Sequence, residues 1–180
     1  MHCWKTINIK KEYGTTWLTI MTAFIFLIVF SFSFLVFGNI HPTYFRDDYF
    51  WFFALCFVLT YPVHKLLHYY SLFEYRKSVK LRVKIDYKFV PIIRMRIKKF
   101  IPKKRYIFTL LVPFIIINAV LITVSILYEE YAHYSCILLG YHCSICFLDL
   151  LFVKDLLGAP KESVIEETPK GCEVLVQTII

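Results

Sequence analysis

Residues Trp17–Phe37 read WLTIMTAFIFLIVFSFSFLVF, 21 residues without a charge. About 20 apolar residues in helical conformation cross the hydrocarbon core of a bilayer, so this stretch decides the class of the fold. Three further blocks follow: Tyr49 to Tyr70, the uncharged Ile107 to Tyr128, and Tyr134 to Val153, whose only ionisable groups besides cysteine and tyrosine are His142 and Asp149. The whole chain is 58% hydrophobic and 19% aromatic, with a mean hydropathy of +0.59. Soluble domains run near half apolar, so those values exclude an ordinary soluble domain. The expected fold is an α-helical membrane protein, one membrane domain over 1–180, with helices at about 17–37, 49–70, 107–128 and 134–153. The first block has a core longer than a signal-peptide h-region and no small-x-small cleavage site, so it is expected to be a retained helix.

Charge sets the expected orientation. Of the 21 Lys and Arg, 13 lie between Arg76 and Arg105, against the single acidic residue Asp86. The positive-inside rule puts this loop in the cytoplasm. Lys5, Lys10 and Lys11 then fall inside, Asp47-Asp48 and Glu129-Glu130 outside, and the tail 158–180 inside. The chain is expected in the cell membrane with both termini cytoplasmic. The net charge of +8 needs no nucleic acid, because a basic segment beside the membrane is matched by anionic lipid headgroups.

The loop 76–105 has a pattern of its own. Val79, Leu81, Val83, Ile85, Tyr87 and Phe89 alternate with mostly charged residues, and alternation resumes at Ile93, Met95 and Ile97. Period two is the mark of a strand, so a small cytoplasmic β-hairpin is expected between the second and third helices, its apolar side on the bilayer or the bundle. Cys172 to Ile180 is apolar enough for a further short strand, expected on that hairpin. The six cysteines lie mostly in apolar helices or on the reducing side and make no disulfide framework. Cys143-Ser144-Ile145-Cys146 is a formal CxxC whose cysteines read as small packing residues.

Ionisable groups inside spans are costly and mark functional positions. His64-Lys65-Leu66-Leu67-His68 puts two imidazoles on one helical face, a turn apart. Asp149 falls at a matching depth, since both helices run outside to inside in this topology. Two neutral imidazoles and a carboxylate are three ligands with a fourth position open to water, the pattern of catalytic zinc. His142 shares the face of Asp149 two turns away and reads as a buried hydrogen-bonding group rather than a further ligand. Asn118 and Asp149 leave an ion path open in principle, but four spans with so few polar groups argue against a transporter.

These residues resemble the bacterial putative zincin peptidase family, multi-pass membrane proteins distantly like site-2 protease metallopeptidases. The resemblance runs from about Trp17 to Val176. It rests on the His64–His68 pair, the basic strand-rich loop, Leu111-Val112-Pro113-Phe114, His142 to Asp149, Gly158-Ala159-Pro160-Lys161 and Ile165-Glu166-Glu167-Thr168. It implies zinc on His64, His68 and Asp149. In an intact HExxH motif the residue after the first histidine is Glu, the general base. Here it is Lys65, so the resemblance implies a zinc-binding protein impaired in peptide hydrolysis. Glu74, one to two turns beyond His68, is the nearest acidic residue in sequence and needs a folded-back loop to substitute. The competing expectation is a non-enzymatic membrane interaction or immunity-type protein without metal. Besides the lipid bilayer, the expected partner is a peptide or membrane protein at the cytoplasmic hairpin, by strand addition.

Overall fold

The computed structural model describes residues 2–40, 44–73, 75, 79–86, 90–97, 100–168 and 171–176. In chain order these form β1 (His2–Ile7), α1 (Ile9–Tyr13), α2 (Thr15–Ile40), α3 (Phe50–Ser71), β2 (Val79–Asp86), β3 (Val90–Ile97), β4 (Ile101–Pro102), α4 (Lys103–Leu127), a 3-10 turn, α5 (Ala132–Leu157), β5 (Val164–Thr168) and β6 (Gly171–Val176). Four helices, α2 to α5, are long and apolar enough to cross a membrane.

These helices are apolar outward and more polar inward. Phe24, Leu27, Phe32, Leu35, Trp51 and Phe52 are exposed, whereas Ser33, Thr60, Thr109, Asn118, Ser125 and Ser135 are buried. That inversion suits a lipid surround, where helices associate through small residues and internal hydrogen bonds. The most buried helix is α5, packed against both α2 and α4. Gly140 permits the first of those contacts: a Cβ there would lie 3.0 Å from the Phe26 carbonyl oxygen and 3.2 Å from Phe30 Cβ. Gly140→Val is therefore expected to separate α2 from α5 and cost about 1–3 kcal/mol of overpacking. A lowered thermal midpoint in detergent would register it; an unchanged midpoint would show that the helices are not held at this contact.

At one end of the bundle, the loop before α3 is tied to the start of α5. Arg46 bonds to Asp48 at 2.8 Å and reaches Glu130 at 3.4 Å, while Tyr134 donates to Asp47 at 3.1 Å. The opposite end carries the strands. β2 and β3 form the expected antiparallel hairpin, with Val79 opposite Ile97 and Asp86 opposite Val90. The surface under the hairpin's apolar side lies outside the described residues, as does Glu74.

The sheet content exceeds the expectation of a lone hairpin. A separate antiparallel sheet has the order β1-β6-β5-β4. The tail strand β6 joins β1 and β5 there, not the hairpin. The reason is burial: Ile7, Ile101, Ile165, Cys172 and Val174 turn inward and close over Leu156 at the end of α5, all at most 1% exposed. Each of these isoleucine, leucine and valine side chains contributes about 1.5–3 kcal/mol through burial. Removal from water also pushes the Cys172 thiol up to about 12, so it stays protonated and unreactive at neutral pH. Lys103, itself buried, donates to the carbonyls of Leu157 at 3.3 Å and Ala159 at 2.5 Å. It thereby satisfies carbonyls around the end of α5 and places a cation at the negative pole of the helix. Lys5 of β1 pairs with Asp155 at 3.3 Å, so the sheet is fastened to α5 from two sides.

Candidate metal centre

The site is built from three helices just beneath the sheet. The i, i+4 spacing of His64 and His68 on α3 aims both rings at α5. On α5, His142, Cys146 and Asp149 follow at i, i+4 and i+7, which gives one continuous face turned back at them. His64 and His142 are fully buried, and the Asp149 side chain is 14% exposed. The structure brings His64, His68 and Asp149 together. His64 Nε2 lies 3.1 Å and His68 Nε2 3.3 Å from Asp149 Oδ2, and the two Nε2 atoms are 3.1 Å apart.

Two of the three imidazole protons are assigned by oxygen partners. A carbonyl only accepts, so His68 carries its proton on Nδ1 and donates to the Thr109 carbonyl at 2.9 Å. That carbonyl is available because of Pro113. In α4 the amide four residues on would claim Thr109 O, but proline has no N–H. His142 likewise donates from Nδ1 to Asn118 Oδ1 at 2.7 Å, and Asn118 Nδ2 faces Cys143 Sγ at 3.5 Å, which fixes the amide orientation. Both His68 Nε2 and His142 Nε2 are therefore lone pairs. The His64 proton has two places. On Nδ1 it faces His142 Nε2 at 3.3 Å; on Nε2 it faces Asp149 and His68.

With the proton on Nδ1, three electron-rich atoms converge with no hydrogen among them, which calls for a cation. Zinc–nitrogen and zinc–oxygen distances of about 2.0–2.1 Å give a tetrahedral edge of roughly 3.3 Å. The three observed separations, 3.1 to 3.3 Å, fit that edge.

Pro113→Ala is the informative change behind this centre. It returns a competing amide to Thr109 O and should weaken zinc binding about tenfold to hundredfold, as loss of an outer-shell partner does. Helix stability should stay level or rise, since proline in a helix interior is unfavourable. Zinc titration beside thermal melting separates the two; unaltered affinity would show that this carbonyl does not orient His68.

A cavity of about 240 Å³ opens on the outer side of the trio, lined by Lys65, His68, Thr109, Asp149 and Glu167 among others. Lys65 is half-buried, with its ammonium 5.9 Å from the centre of the Tyr61 ring. Among the described residues, the carboxylate lining this cavity besides Asp149 is Glu167 of β5, which accepts from Tyr106 Oη at 3.1 Å.

Four positions about the centre were not legible as such in the sequence. Thr109 acts through its backbone, Pro113 by lacking a proton, and Asn118 through His142. Cys146, expected as a packing residue, has its sulfur 3.3 Å from His142 Nε2 and 3.8 Å from His64 Nδ1. Its position at i+4 from His142 was the available signal.

No curated protein and no solved structure matches the chain. The family described as putative zincin peptidase matches residues 57–164, 108 of the 180 residues. The matched stretch runs from mid-α3 to the first residue of β5, and so contains the two-histidine pair, Thr109, Pro113, Asn118, His142, Cys146 and Asp149. More than half of the chain is covered, and the chain belongs to the putative zincin peptidase family.

Proposed function

We propose that this protein is a multi-pass membrane member of the family that holds zinc on His64, His68 and Asp149 and is impaired in peptide hydrolysis. The observation that carries the proposal is the convergence of two imidazole nitrogens and one carboxylate oxygen at tetrahedral edge lengths. When bound, zinc supplies a Lewis acid that polarises a scissile carbonyl and makes water acidic enough to react near neutral pH.

The chain's own residues supply orientation more readily than proton transfer. Thr109 and His142 hold the two imidazoles, and Asp149 offers the anionic oxygen. Lys65, in place of the expected Glu, is a donor with no acceptor lone pair when protonated, so it cannot take the proton of an attacking water. Loss of a general base costs about a hundredfold to ten-thousandfold in rate.

The cell membrane is the proposed location, with the strand-bearing end and both ends of the chain in the cytoplasm. Support comes from the 13 basic residues between Arg76 and Arg105, in and beside the segment that joins α3 to α4. Lipid headgroups, rather than nucleic acid, are the proposed counterpart of that charge. A peptide or membrane-protein partner at the hairpin would add a strand to it. The second reading is an interaction or immunity-type protein without metal, favoured by the half-buried ammonium of Lys65 in the cavity.

Metal analysis of detergent-purified protein separates the two. The proposal requires one zinc per chain, lost in His64→Ala, His68→Ala and Asp149→Asn. Metal-free wild type that cannot be loaded, with those substitutions leaving stability untouched, would favour the second reading.

A further inference from the structure

We propose that His64 Nδ1, His142 Nε2 and Cys146 Sγ form a second, inner metal site for a soft monovalent d10 ion, Cu(I), which competes with zinc for His64. The three residues are at most 1% exposed, and their donor atoms form a closed triangle. His64 Nδ1 and His142 Nε2 are 3.3 Å apart, and Cys146 Sγ lies 3.3 Å from the second and 3.8 Å from the first. Metal–nitrogen and metal–sulfur bonds of about 2.0 and 2.3 Å in a trigonal plane give edges of roughly 3.5–3.8 Å, close to those observed.

Three features select the ion. The Asn118 oxygen commits the His142 proton to Nδ1, so Nε2 faces the triangle as a lone pair. The sulfur is a soft ligand, and thiolate with imidazole favours Cu(I) over hard cations. Among the described residues no fourth donor joins the group, which suits three-coordinate copper better than a closed zinc site. Binding replaces the S–H bond of Cys146 by a copper–sulfur bond and releases one proton to solvent, with copper remaining Cu(I) throughout.

Occupation of the inner site moves the remaining His64 proton to Nε2, where it donates to Asp149 Oδ2 at 3.1 Å. The outer trio then loses a ligand. Neutral His64 serves one site at a time, so each metal must weaken the other by the same factor.

Anaerobic titration of the detergent-purified chain against a chromogenic Cu(I) chelator tests this. Wild type, Cys143→Ser and His68→Ala are expected to withdraw one equivalent of Cu(I). Cys146→Ser and His142→Ala should bind at least about a hundredfold more weakly. Copper X-ray absorption of wild type should contain a sulfur neighbour, and saturating Cu(I) should lower zinc affinity about tenfold or more. Equal Cu(I) affinity in wild type and Cys146→Ser, or a copper shell without sulfur, overturns the inner site. Retention in His68→Ala separates it from the zinc reading, because that variant removes only an outer ligand. If wild type takes up Cu(I) through Cys146 yet never binds zinc, the inner site stands and the zinc proposal alone fails.

Discussion

Lys65→Glu is expected to raise peptide hydrolysis by about a hundredfold to ten-thousandfold over wild type, the range that a positioned general base contributes. Lys65 lines the cavity that His68 and Asp149 also line, so a carboxylate one position after His64 enters the pocket rather than the bilayer. The substitution removes a cation beside a proposed dication and adds an acceptor for the proton of water. An unstructured membrane-anchored peptide, followed by mass spectrometry with the zinc-loaded protein, gives the comparison. Fast cleavage by wild type, abolished in Glu167→Gln and unaffected by Lys65→Glu, would contradict the impaired reading. That outcome would move the base to the tail strand, where Glu167 stands hydrogen-bonded to Tyr106.

The second large effect is on stability. A metal that binds only the folded state at a hundred times its dissociation constant stabilises by about 2.7 kcal/mol. For a chain of this size that is a shift of roughly 5–10 °C in the melting midpoint. Zinc addition is expected to raise the midpoint of wild type by that amount and to leave His68→Ala and Asp149→Asn unmoved. The His68→Ala protein should still fold, since its site lies beneath a sheet held by Ile7, Ile165 and Val174 and fastened through Lys103. Equal zinc-induced shifts in all three would show that the stabilising metal sits elsewhere.

What the sequence made legible follows from the range of each interaction. The four long helices rest on the length of apolar blocks and the β2–β3 hairpin on local alternation, and each was expected close to where it lies. His64, His68 and Asp149 were brought to one depth by topology alone, because helix direction and residue count fix the height of a side chain. Partners distant in sequence were harder. HCWKTI at 2–7 carries no clean alternation, yet it is β1, because Ile7 and the facing Cys172 are buried together. The tail strand was expected on the hairpin but finds its partners in β1 and β5, a choice made by packing on Leu156. The supports of the centre were hidden for a different reason. A freed carbonyl at Thr109 and an amide at Asn118 have no spacing signature, and Cys146 is indistinguishable from a packing residue until His64 of another helix is beside it.

The proposed cation position lies between His64 Nε2, His68 Nε2 and Asp149 Oδ2. Zinc X-ray absorption on the zinc-loaded wild-type protein tests it directly. The expected spectrum has a first shell of nitrogen and oxygen alone at about 2.0–2.1 Å, with outer scattering from two imidazoles. A sulfur neighbour at about 2.3 Å would place zinc on Cys146 instead, and failure to retain any zinc would remove the outer centre altogether.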